Sequence, residues 1–195
     1  MRVAALYDVH GNLPALEAVL AELEDDMHVV SGGDLFGGPA GRACLDRLLG
    51  LGDRVTFVRG NADREIAELA DVVSEWSLSV VLAVDGAGPV AFCHATPASD
   101  EEIVTRLTPD EELRSRFSAP LTVVGHTHVQ FDRSFDGVRV VNAGSVGMPY
   151  ESEPGAYWAV IGPDVELRRT EYPGAPENEA GPDEASEYFE SRRGA

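Results

Sequence analysis

A chain of 195 residues with 44% hydrophobic side chains is long enough to bury a full core as one domain. Its 34 acidic residues outnumber the 15 basic ones, all of them arginine, and give a formal net charge of −19. This negative field repels phosphate backbones, so we expect no stable binding of a nucleic-acid duplex. A small anionic substrate is compatible with it, because salt screens the repulsion beyond about 8 Å and a bound cation dominates its local field.

The sequence also bears on location and assembly. No apolar run approaches the roughly 18 residues that a membrane-spanning helix needs, and Met1 and Arg2 lead straight into a short predicted strand. We therefore expect a cytoplasmic protein without a membrane partner. Cys44 and Cys93 form no disulfide framework and are predicted to be buried thiols in a reducing compartment. The sequence leaves a homo-oligomer open.

The first predicted element is a buried strand, Val3–Leu6, which leads into Asp8 and His10. At the end of an extended segment, residues i and i+2 project to the same side, so a carboxylate and an imidazole can converge on a cation. An Asp-x-His triplet is common by chance and is a weak signal alone. Apolar residues at helical spacing then predict a first helix over 13–23, with Asn12 placed to cap it.

Two further strand–helix units follow. The apolar stretch 27–30 leads to Asp34, and the stretch 55–58 leads to Asn61. A helical pattern comes after each stretch, the second of them over 66–73. Three strand–helix units in a row predict a parallel sheet covered by helices.

The middle of the chain predicts a hairpin and two short helices. Two strands flank the turn dipeptide Asp85-Gly86, and the second strand runs into His94. One helix is then predicted to be capped by Ser99. Another is predicted to be capped by Thr108, which begins a Thr-x-x-Glu capping box.

The last third of the chain repeats the pattern of the first strand. The strand predicted over 121–124 runs into His126 and His128, a second pair at positions i and i+2. A hairpin turning at 136–137 leads to the loop 142–147, and a second hairpin completes the predicted elements.

The composition changes beyond Tyr172 to proline, glycine and glutamate. We therefore predict a domain of residues 1–172 and an acidic, partly disordered tail of residues 173–195. One short helix is expected in the tail, over 183–192. With no candidate ligand and few apolar residues, the tail is predicted to be dispensable for chemistry.

The polar residues that follow the strands form a common pattern. In open α/β sheets, ligands bind at the carboxyl ends of the strands. One histidine there is usually structural, and His28, early in its strand, is taken as an ordinary edge or surface residue. Four histidines with two aspartates and an asparagine are hard to explain by core packing alone. We predict a metal centre with seven candidate ligands: Asp8, His10, Asp34, Asn61, His94, His126 and His128.

These motifs resemble those of a known family. In order, Asp-x-His, Gly-Asp, Gly-Asn-x-Asp, His and Gly-His-Thr-His are similar to the calcineurin-like metallophosphoesterase superfamily over residues 1 to about 170. The small size and the loop 142–147 resemble its compact bacterial and archaeal phosphodiesterase branch. The resemblance implies an α/β fold, a four-layer α-β-β-α sandwich of two mixed sheets flanked by helices. It also implies two divalent metals, one held by Asp8, His10, Asp34 and His128 and the other by Asp34, Asn61, His94 and His126.

The implied activity is hydrolysis of a phosphoester bond by in-line attack of a hydroxide that bridges the two metals. Oxygen and nitrogen ligands without a thiolate suit manganese first, with iron, zinc, nickel or cobalt as alternatives. A phosphodiesterase acting on small, nucleotide-like substrates is favoured. The alternatives are a broad phosphomonoesterase or dinucleoside-polyphosphate hydrolase, and a non-catalytic scaffold resembling the retromer subunit. A scaffold can lose ligands without penalty, whereas all seven positions are filled here.

One position departs from the superfamily pattern. Many members carry a histidine where this chain has Ala62, and that histidine is thought to protonate the leaving group. Its absence favours diesters and activated leaving groups. Asp63 is interpreted either as a helix-start residue or as a catalytic-site residue that orients the metal ligands without binding the metal itself. Asn12, Asn61 and Arg64 are candidate substrate contacts, although Asn12 also suits a plain helix cap and Arg64 a solvated surface.

Overall fold

The computed structural model describes residues 1–193, which form ten strands and five α-helices. In chain order the strands are β1 (Val3–Leu6), β2 (His28–Ser31), β3 (Val55–Phe57), β4 (Ser79–Val84), β5 (Gly88–Cys93), β6 (Leu121–Val124), β7 (Phe131–Phe135), β8 (Val138–Asn142), β9 (Ala156–Ile161) and β10 (Val165–Thr170). The helices are α1 (Leu13–Ala21), α2 (Gly41–Leu49), α3 (Ala70–Val73), α4 (Asp110–Arg116) and α5 (Pro182–Ser191). None of these five helices has the length and apolarity needed to cross a membrane.

The strands form two mixed sheets of five. The order is β10-β9-β1-β2-β3 in the first sheet and β4-β5-β6-β8-β7 in the second. Strands β1, β2 and β3 are parallel, with Val3 opposite His28 and Val29 opposite Val55. In the second sheet β5, β6 and β8 are parallel. The carboxyl ends of three parallel strands in each sheet therefore lead into loops at one edge of that sheet.

The alternation of side chains along each strand produces four layers. In β1, Val3 and Ala5 pack between the two sheets, together with Phe92 of β5. Ala4 and Leu6 point the other way and pack in the cluster that includes α1 and α2. A third cluster lies between the second sheet and α4. The predicted α-β-β-α sandwich of two mixed sheets flanked by helices is confirmed.

Helix α1 begins with the cap that its sequence predicts. Oδ1 of Asn12 accepts the N–H of Ala15 (3.2 Å). Nδ2 of the same amide donates to the carbonyl of Gly147 and to the hydroxyl of Tyr172, both at 3.0 Å. Asn12 thus joins the start of α1 to two distant segments of the chain.

We expect Asn12→Ala to lower the free energy of unfolding by about 2 kcal/mol, because it removes the cap and both donated hydrogen bonds. Asn12→Ser keeps a cap oxygen and loses both donated bonds, so its loss should be smaller. Urea unfolding of the three proteins measures both values. Equal stability of the alanine variant and the natural protein would contradict this account of Asn12.

The helix predicted over 66–73 is wrong in its first half. Two turns of 3-10 helix, Ala62–Glu65 and Ala67–Leu69, come before the short α3. Ile66 separates them with a non-helical backbone (φ −90°, ψ 86°). The apolar periodicity is real, since Ile66 and Leu69 pack against the core cluster of the first sheet. The helix does not start there because Asp63 binds the backbone N–H groups of residues 34–36 and fixes the preceding loop.

Neither cap predicted between β5 and β6 is formed. Ser99 lies in a turn in which it exchanges hydrogen bonds with Thr96, and the structure has no helix between Ser99 and the start of α4 at Asp110. Helix α4 does form, yet the Thr108 hydroxyl caps nothing. It accepts the N–H of Thr105 (2.9 Å) and donates to Glu190 (2.7 Å). A partner 82 residues away therefore outweighs the local capping signal.

The C-terminal segment forms the helix predicted over 183–192, observed as α5. Ala185 and Ser186 of this helix are buried against the rest of the protein. An ion pair joins Asp183 to Arg106, and another joins Arg193 to Glu112. Helix α5 is thus packed against the connection between β5 and β6.

Candidate metal centre

The seven predicted ligands come together where loops from the two sheets meet. They follow β1, β2 and β3 of the first sheet and β5 and β6 of the second. Two groups have ligand atoms that all lie within 4.8 Å of one another. The first group contains Asp8, His10 and His128, and the second contains Asp34, His94 and His126.

Three of the histidines are oriented by a backbone carbonyl. In each, Nδ1 lies within hydrogen-bond distance of a carbonyl oxygen, which can only accept, so Nδ1 carries the proton in the neutral ring and Nε2 is the atom left to bind a metal. The Nδ1 bonds run from His10 to Phe36 (3.2 Å), from His94 to Gly32 (3.0 Å) and from His128 to Met148 (2.6 Å). The three Nε2 atoms then face the two aspartates. This is the usual arrangement of histidines that bind a metal through Nε2.

The two carboxylates lie between the groups. Oδ1 of Asp8 is 3.2 Å from Nε2 of His128 and 3.8 Å from Nε2 of both His10 and His94. Oδ2 of Asp34 is 3.4 Å from Nε2 of His94 and 3.9 Å from Nε2 of His10. Each carboxylate therefore reaches an imidazole of both groups, which suits ligands shared by two cations.

Asn61 adds an amide to the second group. One terminal atom of its side chain lies 3.3 Å from Nε2 of His94 and 3.1 Å from Nδ1 of His126. As a plain hydrogen-bond network this place suits the amide nitrogen, which could donate to both rings. A cation between the three groups requires the oxygen instead, because only the oxygen is a ligand.

The backbone at the ligands is unusual. Five of the seven have a positive φ: Asp8 (53°), His10 (45°), Asp34 (53°), His126 (65°) and His128 (58°). A non-glycine residue in this left-handed region costs on the order of 1–3 kcal/mol, and such residues are found at functional sites. Both i, i+2 pairs therefore converge through left-handed turns, and the extended geometry expected from the sequence is wrong in this detail.

A buried oxygen atom of Asp8 indicates whether the candidate ligands suit a metal ion. Oδ2 of Asp8 accepts the N–H of His126 (2.9 Å), while Oδ1 is buried and receives no hydrogen bond from any described residue. Nε2 of His10 and Nε2 of His128 also lie only 3.2 Å apart. A cation between these atoms satisfies an unpaired carboxylate oxygen and the two imidazole lone pairs, which oppose each other when both rings are neutral. The donor set fits divalent cations.

Ionisation of the metal-free centre follows from its burial and its mixed charges. Burial, with the neighbouring His94, lowers the pKa of His126 to about 4. Burial also opposes a charge on His94, but Asp8 and Asp34 outweigh it and raise the pKa of His94 to about 9. The imidazoles likewise outweigh burial at Asp8 and hold its pKa below the usual range. A cation that binds here at neutral pH therefore displaces a proton from His94.

Comparison with known proteins agrees with this geometry. Residues 1–162 match the family model described as the calcineurin-like phosphoesterase superfamily domain. The chain belongs to this superfamily. Together with the two His/Asp groups, membership indicates metal-dependent hydrolysis of phosphoester bonds. No curated protein sequence matches the chain.

Solved structures similar to this superfamily member include small phosphoesterases. A metallophosphoesterase from Sphaerobacter thermophilus has 25% sequence identity and a TM-score of 0.71, covering 88% of this chain and 89% of its own. The phosphoesterase YfcE from E. coli has 22% identity and a TM-score of 0.65, covering 91% and 99%. An archaeal phosphodiesterase has 16% identity and a TM-score of 0.57, covering 87% and 99%. The last two similarities show the fold alone.

In this member of the superfamily, Asp63 supports the loop that carries Asp34. Its buried carboxylate accepts four backbone N–H groups, those of Asp34 (2.9 Å), Leu35 (2.9 Å), Phe36 (3.2 Å) and Gly60 (2.9 Å). Burial raises the pKa of Asp63 to about 6, although the hydrogen bond from the N–H of Gly60 works in the opposite direction. The carboxylate is therefore ionised at neutral pH. Gly60 must be glycine, because a Cβ there would collide with the Asp34 carboxyl group. Asp63 is not a simple helix-start residue.

The other two predicted substrate contacts have protein partners. The guanidinium of Arg64 lies 3.0 Å from Asp100 and 2.5 Å from Glu101. These carboxylates raise the pKa of Arg64 and balance its charge. The amide of Asn12 is occupied by the cap of α1 and by the two donated bonds described above. Contact of either residue with a phosphate stays a prediction.

Two residues that brace the centre were missed by the sequence analysis. The Ser145 hydroxyl donates to the carbonyl of Asp8 (2.8 Å) and accepts the N–H of Met148 (2.8 Å). The Asn142 amide donates to the carbonyl of Gly125 (2.7 Å) and so holds the turn before His126. The available signal was the run of small and polar residues over 142–147, in which Asn142 ends the buried strand β8 and Ser145 lies in the loop after it. This pattern indicated that the loop lies near the site, but it did not predict the hydrogen bonds that the two side chains make.

Proposed function

We propose that the chain hydrolyses phosphodiesters of small molecules with two divalent transition metals. The observation that carries the proposal is the orientation of three imidazoles by backbone carbonyls, with Nε2 of each directed at two shared carboxylates. By this proposal one metal is held by Asp8, His10, Asp34 and His128, and the other by Asp34, Asn61, His94 and His126. Two such cations supply a water-derived nucleophile at neutral pH and a positive field for a phosphoryl group.

The ligand types favour manganese, with iron, zinc, nickel or cobalt as alternatives, because nitrogen and oxygen donors are present without a thiolate. Cys93 precedes His94 in sequence, yet it is buried in the cluster between the second sheet and α4. Elemental analysis tests this part of the proposal, both on protein purified without added metal and on protein loaded with each of these metals. A content well below one metal per chain under every loading condition would argue against it.

The scaffold alternative is disfavoured by the backbone of the site. Five ligand residues keep a costly left-handed conformation, and a protein that acts only through surface contacts gains nothing from that cost. We therefore propose that the partner of this protein is a small phosphoester substrate. A cytoplasmic location and the oligomeric state stay predictions of the sequence.

The preference for diesters rests on the lack of a spare proton donor. The four histidines of the centre are all candidate ligands. His28, the fifth, begins β2, at the opposite end from Asp34, and its Nε2 is 2.8 Å from the Thr56 hydroxyl. Ala62 supplies no proton. Bonds to a good leaving group break without protonation, whereas alkyl monoesters require an acid.

Replacing Ala62 by histidine tests this reasoning. The N–H of Ala62 donates to Oδ1 of Asp34 (2.8 Å), so a side chain at position 62 starts beside the centre. We expect the new imidazole to raise kcat/KM for alkyl monoesters at least about tenfold, within the range of a general acid, and to change aryl diester turnover little. Asp63, fully used by four N–H groups, does not orient the new ring.

The measurement is kcat/KM across a series of leaving groups of increasing pKa. Ala62→Phe is the control, because it adds a ring without a titratable proton. The natural protein should show a steep decline along the series, and Ala62→His a shallower one. A shallow decline in the natural protein, unaltered by histidine, would mean that another proton donor is already present.

A further inference from the structure

An aromatic cavity adjoins the metal centre. Its volume is about 320 Å³, and the rings of Tyr150, Tyr188 and Phe189 form part of its lining. The other lining residues are Glu179, Ala180, Glu184 and Ala185. Tyr150 follows the loop after β8, whereas the remaining residues belong to α5 or the segment just before it.

The rings of this cavity contact the candidate metal ligands of both groups. The Tyr150 ring stacks on His128, with ring centroids 5.2 Å apart and an interplanar angle of 16°. Phe189 lies 6.5 Å from His126 and 6.2 Å from Tyr150, measured between ring centroids. A group in the cavity is therefore next to whatever the two metal groups hold.

Helix α5 is fixed in this place by several contacts. Glu190, next to Phe189 in sequence, accepts hydrogen bonds from the hydroxyls of Thr105 and Thr108. The ion pairs of Asp183 and Arg193 hold the two ends of the helix. The tail that the sequence suggested to be dispensable thus supplies a preformed wall beside the centre.

We infer that Tyr150, Tyr188 and Phe189 form a subsite for a planar aromatic group of the phosphoester, such as an aryl ring or a nucleobase. This inference rests on the proposed function and narrows its substrate class. The rings offer faces for stacking, which is tolerant of the identity of the base. Glu179 and Glu184 line the same cavity, so the occupant is uncharged or bears hydrogen-bond donors, and a second phosphate group is excluded by charge repulsion.

A pair of substrates with the same leaving group tests the subsite. Bis(p-nitrophenyl) phosphate and methyl p-nitrophenyl phosphate both release nitrophenolate, and only the first retains a second ring. Phe189→Ala should lower kcat/KM for the bis-aryl ester about tenfold relative to the methyl ester. Glu187→Ala, at an exposed position of the same helix outside the cavity lining, should leave the ratio unchanged. Phe189→Leu keeps most of the side-chain volume without an aromatic face. Its ratio of kcat/KM for the two esters should lie between those of Phe189→Ala and Glu187→Ala.

Binding to the metal-loaded protein provides a second measurement. Adenosine 5′-monophosphate and ribose 5-phosphate share a phosphate and differ by the base. Calorimetry should show tighter binding of the nucleotide to the natural protein, and Phe189→Ala should reduce that advantage about tenfold. Metal content and the thermal midpoint of each variant establish that the centre and the fold are intact, and Phe189→Leu replaces Phe189→Ala if the latter unfolds.

The two measurements separate the subsite from the proposed function. Equal losses on both esters, or equal affinities for the two ligands, would overturn the subsite even if hydrolysis is efficient. Hydrolysis of no phosphoester, combined with a base-dependent affinity that Phe189→Ala removes, would support the subsite and overturn the proposed function.

Discussion

Asp34→Asn is expected to reduce the metal content from about two per chain to below one and to lower turnover by about 10³-fold or more. Oδ2 of Asp34 lies 3.4 Å from Nε2 of His94 and 3.9 Å from Nε2 of His10, one imidazole from each group. An amide in this position removes the negative charge that both cations share, and it places a nitrogen where a ligand oxygen is needed. Both metals should weaken together.

Asp8→Asn is the matched variant, because it makes the same chemical change at the other central carboxylate. If Asp34 is the bridge, the second group remains complete in Asp8→Asn and should retain about one metal. Elemental analysis and turnover of the two variants are compared with the natural protein. Loss of both metals in Asp8→Asn, with both kept in Asp34→Asn, would assign the bridge to Asp8, whose Oδ1 is also close to both groups.

Asp63→Asn should have the second largest effect, although Asp63 is not a candidate ligand. Two of its four N–H partners would face an amide NH₂ group, so buried donors would oppose a donor. We expect the free energy of unfolding to fall by about 2–4 kcal/mol. The loop of Asp34 should shift as a result, and a misplacement of about 1 Å can lower turnover on the order of 10²-fold.

Asp53→Asn, at an exposed position, is the control for the loss of one carboxylate charge. Denaturant unfolding gives the stability of each protein, and metal titration shows whether affinity falls along with turnover. A positioning role predicts that Asp63→Asn weakens metal binding and that excess metal partly restores turnover. Normal metal affinity together with impaired turnover would contradict this positioning role.

The clustering of the candidate metal ligands could be predicted because its signals are local. Each ligand follows a short apolar strand, and parallel strands bring their carboxyl ends to one edge irrespective of the details of packing. Asp8 and His10 illustrate this: the spacing identified them, although the turn that brings them together is left-handed rather than extended. The asparagine cap of α1 was equally local, and it was predicted correctly.

What could not be predicted depends on partners distant in sequence. Thr108 reads as a helix cap until Glu190 is placed beside it. Asp63 reads as the first residue of a helix until the N–H groups of residues 34–36 surround it. The position of Phe189 could not be predicted for the same reason, since nothing in the tail indicates that it packs beside His126. In each case a tertiary contact overrides a plausible local interpretation.

The division of ligands between the two sheets has a consequence for synthesis of the protein. Asp8, His10, Asp34 and Asn61 come from the first sheet, whereas His94, His126 and His128 come from the second. A nascent chain shorter than 128 residues therefore presents only a partial ligand set, and the carbonyl that orients His128 arrives still later, at Met148. Cations bound before that stage would be held by fewer donors. With metals bound as proposed, the completed centre would crosslink the two sheets and join segments, such as those of His10 and His128, that emerge from the ribosome more than one hundred residues apart.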